Sequence, residues 1–292
     1  MGRRRRVSHA TYEDKLHARI DREESARTVF SLLMARHAGV THRRQYRVVE
    51  YGWIAPILQE YRAWAAAEIE RASCHGIRIL GLYDDDYPVA LRNIPNPPTV
   101  LYVRGTLREP CMAVVGTREP TEFGLRVASS ATTFLCSRGY SIVSGLALGI
   151  DTEAHKAALE AGGHTIAVMA SGLDTVYPAS NQGLAARILE SGGAWVSETA
   201  MGQGVSPQRL AARNRIQSGL SRGTLVCQSA LDGGTMHTAK FSRDQGRPVY
   251  VPVPHGVHSN PRVSQGLLAL LKAGAIGLES RNNYPRMVDD IS

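Results

Sequence analysis

The chain has 292 residues, 43% hydrophobic and 21% charged, with a formal net charge of +8. That length suits one large α/β domain with an appendage, and the composition is that of a globular core rather than a disordered or fibrous chain. No apolar stretch reaches membrane-spanning length, and Cys74, Cys111, Cys136 and Cys227 lack metal-ligand spacing, so a cytoplasmic protein with no bound metal is expected.

The basic surplus is concentrated at the start: residues 1–50 carry 12 Lys and Arg against 6 Asp and Glu, and the remainder carries 22 against 20. Arg3 to Arg6 lead an arm over residues 1–20, either a solvated tail or a contact for nucleic acid backbone. No apolar h-region follows it, because Ser8 to Glu24 is polar. Residues 21–75 read as a small helical region, with Val29, Leu32 and Leu33, then Ile54, Ile57, Leu58, Tyr61, Trp64 and Ala65 at helical spacing. Gly76–Leu80 and Val100–Gly105 read as strands around a loop at 83–98 that is rich in Asp and Pro.

From there one unit repeats: a short apolar run, a Gly- or Ser-rich turn, then an amphipathic helix. Strands are expected at Met112–Val115, Ser141–Val143, Thr165–Met169, Ala194–Val196, Thr224–Gln228, Pro248–Val251 and Ala275–Leu278. Helices are expected near 121–138, 151–161, 181–191, 208–219, 235–245 and 264–273. Alternation of this kind, with nearly continuous apolar strands, predicts an α/β fold: an extended Rossmann-like, doubly wound parallel sheet over residues 76–280. Residues 281–292 are left as a C-terminal tail. Right-handed crossovers bring the strand-to-helix turns to one edge, where ligands bind.

The turns supply the candidate site. Gly116, Thr117 and Arg118 follow a strand and combine close backbone approach, a hydroxyl and a guanidinium, which suits phosphate. Ser144 to Gly149, with Gly145, form a small-residue turn before a helix that Asp151 can cap, an arrangement that presents amides to an anion. Asp151 and His155, at i and i+4, can pair structurally. Asp174 and Glu198 close two further turns as structural or pocket residues. Arg213, Asn214 and Arg215 lie on a helix crossing toward the same edge, and the two arginines, at i and i+2, face different sides. Gly233, Gly234 and Thr235 form another amide nest at a helix start. Neither a G-x-G-x-x-G fingerprint nor a G-x-x-x-x-G-K-[ST] loop is present, which disfavours a dinucleotide dehydrogenase or an ATPase.

The strings VVGTR (114–118), SGLALGID (144–151) with His155, IAVMASGLDTVYP (166–178) with Asn181, RNRIQSGLS (213–221) and GRPVYVPVP (246–254) occur in this order. Together they resemble the DNA-processing protein A family, also called DprA or Smf, over about residues 76–277. The resemblance implies a non-enzymatic, cofactor-free protein that binds single-stranded DNA, forms homodimers, and helps load the RecA recombinase during natural transformation or a related process. It implies phosphate contacts at Gly116–Arg118, Arg213–Arg215 and Gly233–Thr235. The chain departs from the family pattern at Leu148, at Leu210-Ala211 and at Leu268, and has no counterpart of the C-terminal winged helix of many members. Two other readings stay open: a nucleotide sensor, and a nucleoside-monophosphate N-glycosidase of the related Rossmann-like families. The latter's P-G-G-x-G-T-x-x-E string is incomplete here, since no Glu lies between Asp232 and Arg247.

Overall fold

The computed structural model describes residues 62–259 and 262–290, together with Leu33. The expected basic arm and, apart from Leu33, the part of the helical region before Arg62 lie outside the described residues.

Helix α1 (Arg62–Cys74) leads into β1 (Ile77–Gly81), and a loop carrying the short α2 (Val89–Arg92) returns as β2 (Val100–Gly105). The repeating units follow: β3 (Cys111–Gly116), α3 (Glu122–Ser137), β4 (Ser141–Ser144), α4 (Ile150–Glu160), β5 (Thr165–Val168), α5 (Gln182–Glu190) and β6 (Ala194–Ser197). Then come α6 (Pro207–Leu220), β7 (Thr224–Gln228), α7 (Thr235–Asp244), β8 (Val249–Pro252), α8 (Gln265–Lys272), β9 (Ile276–Leu278) and α9 (Arg286–Asp289).

The nine strands among the described residues form one sheet in the order β1-β2-β6-β5-β4-β3-β7-β8-β9. Only β2 runs against the others, antiparallel to both β1 and β6. The chain winds outward from β3 through β4, β5 and β6. Helix α6 then carries it back across the sheet to β7, on the far side of β3, and the winding reverses. The switch in strand order therefore lies between β3 and β7. The register of that pair shifts at Val115/Gly116, at the carboxyl edge of the sheet.

Both faces are covered because the strands are apolar on both sides. Along β3, Met112 and Val114 pack with Ala128, Leu135, Ile150 and Ala154 of α3 and α4. Val115 points the other way, toward Ala239 of α7 and Leu267 and Leu270 of α8. Helix α3 buries Gly124, Ala128, Ala131, Thr132 and Leu135, spaced by three and four. Truncating one such core leucine to alanine costs on the order of 2–5 kcal/mol.

Helix α6 is fixed at both ends. Ser206 Oγ accepts the Arg209 N–H at 3.2 Å, with Pro207 in the first turn. At the other end the Arg247 guanidinium donates to the carbonyls of Ser218, Ser221 and Ala90, placing a cation on the negative pole of the helix. The segment expected as a tail packs down instead. Tyr284 and Met287 are buried against the α3 face, and Tyr284 OH shares a 2.9 Å hydrogen bond with Ser130. Among the described residues no helix is long and apolar enough to cross a membrane.

Candidate nucleic-acid interface

A cleft of about 500 Å³ opens where β3 and β7 part, walled by the turns after those strands, by α6 and by the start of α7. On the β3 side, Gly116 has no room for a side chain, because a Cβ there would lie 2.5 Å from Ile150 Cγ1. Thr117 N–H donates to Gln228 O at 2.8 Å, and the Thr117 hydroxyl accepts the Glu119 N–H at 3.2 Å. The buried Gln228 side chain anchors the rest of this loop: Oε1 accepts Thr121 N–H, while Nε2 donates to Thr121 Oγ1 and Ser264 Oγ, each at 2.9 Å. Arg118 is left at the rim, exposed and, among the described residues, without a hydrogen bond or ion pair.

The turn after β4 is arranged differently from the sequence expectation of an amide cradle. Gly145 N–H donates to Asp151 Oδ2 at 3.1 Å, and Ser144 Oγ donates to Val114 O at 2.7 Å. Asn181 Nδ2 donates to Leu146 O and Thr152 Oγ1, both at 2.8 Å. Gly149, at φ +78°, is the residue before the helix, and a Cβ there would collide with the Thr117 carbonyl. The Gly145 amide and the Leu146 carbonyl are thus taken up inside the protein, and from this turn only Ala147 and Asp151 line the cleft. Asp151 is not the cap, since it lies inside the first turn with its carboxylate bent back. The expected Asp151–His155 pair does not form either: His155 Nδ1 meets Thr165 Oγ1 at 2.7 Å.

On α6, Arg213, Asn214 and Gln217 face the cleft. Arg213 is buried, and its Nη1 donates to Gly145 O at 2.7 Å and Val168 O at 2.6 Å, which ties together the ends of β4 and β5. Burial lowers the Arg213 pKa and raises that of Asp151, and each opposes the other's shift by its charge. Arg215 turns away from the cleft. It forms a two-pronged ion pair with Glu198, both contacts at 2.6 Å, and its Nε donates to Asn96 O at 2.9 Å. Asp174 accepts the Gly202 N–H through both oxygens, at 3.0 and 2.8 Å, and so closes a loop.

The β7 side contributes Gly233, Gly234 and Thr235 at the start of α7, with Ser229 and His237 beside them. Asn214 Nδ2 donates to Gly234 O at 3.3 Å and joins this turn to α6. The sequence reading missed Gln217, Gln228 and His237. Gln217 was findable, since Leu210, Asn214 and Gln217 share one face of a helix. Gln228 and His237 carried no local signal, because their roles depend on segments far away in the chain.

The cleft therefore offers one unpartnered guanidinium, side-chain amides and hydroxyls, and a helix start. Its one carboxylate, Asp151, is 5% exposed and already hydrogen-bonded. Among the described residues no group of three or more His, Cys, Asp and Glu side chains is placed to hold a metal. Such a surface suits an anion whose charge is spread along a backbone.

The model of the DNA recombination-mediator protein A family matches residues 78–288. Protein Smf of Escherichia coli K12 is 43% identical over 194 residues, which is 65% of this chain and 51% of that protein. Protein Smf of Synechocystis is 39% identical over 208 residues, 68% of this chain and 51% of that protein. The chain thus spans about half the length of these curated relatives. Among solved structures, DNA processing protein A from Streptococcus pneumoniae matches with a TM-score of 0.70 at 28% identity, covering 94% of this chain and 96% of that one. The same protein from Helicobacter pylori, solved to explain its single-stranded DNA binding mode, matches with a TM-score of 0.65 at 28% identity, covering 74% of this chain and 97% of that one.

Proposed function

The chain belongs to the DNA recombination-mediator protein A family, and from that premise we propose that it binds single-stranded DNA without chemical turnover. In this reading it works in the cytoplasm as a homodimer, shields an incoming strand and helps load a RecA-type recombinase, in natural transformation or a related recombination process. The observation that carries the reading is the Arg118 guanidinium, unpartnered among the described residues, at the mouth of a cleft whose walls add the amides of Asn214 and Gln217 and the hydroxyls of Thr117, Ser229 and Thr235. A guanidinium and backbone donors grip phosphates without reading bases. Hydrolysis of a nucleotide would need a carboxylate free to move a proton. Asp151 is engaged with Gly145, and Asp244 lies at the far end of α7, paired with Lys240. A cleft of about 500 Å³ is also the size of a small-molecule site, which favours the nucleotide sensor as second reading.

The test is an anisotropy titration of oligo-dT across a salt series, with AMP as competitor. Binding is expected to fall steeply with salt. Arg118→Ala should weaken it about tenfold and reduce the salt slope by roughly one. Salt-independent or absent binding, with AMP bound instead, would establish the sensor reading in its place.

A further inference from the structure

Six histidines fall among the described residues, and the rings of five have a partner. His75 Nδ1 meets Arg71 O at 2.8 Å, His155 meets Thr165, and His164 meets Ser141 and Thr106. His255 pairs with Glu279 at 2.8 Å, and His258 stacks on Phe123. The His237 ring alone has no hydrogen bond, ion pair or ring contact. It is exposed, the third residue of α7, and it lines the cleft.

The charged groups that face the same space are Arg118 from the loop after β3, Asp151 from α4 and Arg213 from α6. Asp151 is held by the Gly145 N–H, and Arg213 Nη1 by two carbonyls. The neighbouring Asp232 pairs with Arg262 at 2.5 Å and does not line the cleft. Among the described residues, Arg118 and His237 are therefore the cleft's two ionisable side chains with no protein partner, one from each side of the switch between β3 and β7.

We propose that His237 is a second phosphate-contacting residue of this cleft, and that it carries a proton when a phosphodiester backbone is bound. The inference rests on the single-stranded DNA reading. An anion within hydrogen-bond reach favours the imidazolium over the imidazole, and the imidazolium donates a charge-assisted bond that Asn214, Gln217 and Ser229 cannot match. Protonation and binding are then linked. The bound state holds more protons than the free state, so affinity rises as pH falls across the range in which histidine changes charge.

The experiment titrates the full chain with oligo-dT, whose bases do not protonate in this range, carrying a pH-insensitive dye. Ionic strength is held constant from about pH 8 to about pH 6. The wild-type protein should tighten about three- to tenfold over that interval. His237→Gln and His237→Asn should lose the dependence and bind with an affinity that changes less than about twofold across the interval. A flat wild-type profile overturns the proposal. So does a dependence that survives in both variants, which would assign it to Asp151. Absence of oligo-dT binding at every pH would instead remove the functional reading itself.

Discussion

Arg213 and Arg215 stand two positions apart on α6, about 200° around the helix, and their surroundings differ accordingly. Arg213 is enclosed against two strand ends, and Arg215 is neutralised by Glu198. That they face opposite ways was legible from their spacing. That the cleft-facing one has two carbonyl partners was not, because Gly145 and Val168 lie 68 and 45 positions away. His155 belongs to the same buried neighbourhood. Thr165 Oγ1 donates its own proton to Ile142 O at 2.8 Å, so it accepts from His155 Nδ1, and the bare Nε2 is buried without a partner. Burial, reinforced by the charge of Arg213, pulls the His155 pKa from 6.5 to about 3. The folded state then resists a proton that the unfolded chain accepts. Stability from this group is complete above pH 6.5 and drains away by about 1.4 kcal/mol per pH unit as pH falls toward 3. The raised pKa of Asp151 acts in the opposite sense, because its contribution is lost as pH rises. Urea midpoints at neutral and mildly acidic pH should fall more steeply for wild type than for His155→Gln, and equal slopes would refute the assignment to His155.

At the scale of elements, the repeating strand–turn–helix units were legible because a parallel sheet covered on both faces needs short apolar runs and amphipathic crossovers. The order of strands was not, since it depends on pairings such as Val114 with Leu225 and Tyr102 with Ser197. The reversed direction of β2 was equally silent, because an apolar run such as VLYV reads the same either way. The turns show the same limit. An amide-rich turn in sequence is a donor site only if nothing inside the protein takes the donors, and at Gly145 the Asp151 carboxylate does. Gln228 is the counterpart on β7, a strand residue whose side chain grips a loop 107 positions earlier. Gln228→Ala should lower stability by roughly 1–3 kcal/mol by leaving Thr121 N–H and Ser264 unpaired. It should also weaken oligo-dT binding by loosening the Arg118 loop. A variant destabilised in urea but binding with unchanged affinity would show that the loop holds its shape without the clamp.

At the scale of the whole molecule, charge is spread unevenly along the chain. The region from β3 onward carries almost balanced charge, while the basic surplus lies in the first 50 residues. Binding by the cleft alone would therefore involve few phosphates and a shallow salt dependence. Removing residues 1–20 should reduce both affinity and salt slope if the arm continues the DNA track. Identical titrations with and without it would confine binding to the residues that follow.

The reversal of winding at α6 also divides the molecule. Strands β1 to β6 precede that helix in the chain, and β7 to β9 follow it, so α6 with its flanking loops is the one covalent link between two half-sheets whose strands pair along β3 and β7. Gly116, Arg118 and Asp151 belong to the first half, while Asn214, Gln217, Thr235 and His237 belong to the linking helix and the second. A ligand in the cleft is thus a stitch across the seam, and its binding free energy adds to the cohesion between the halves.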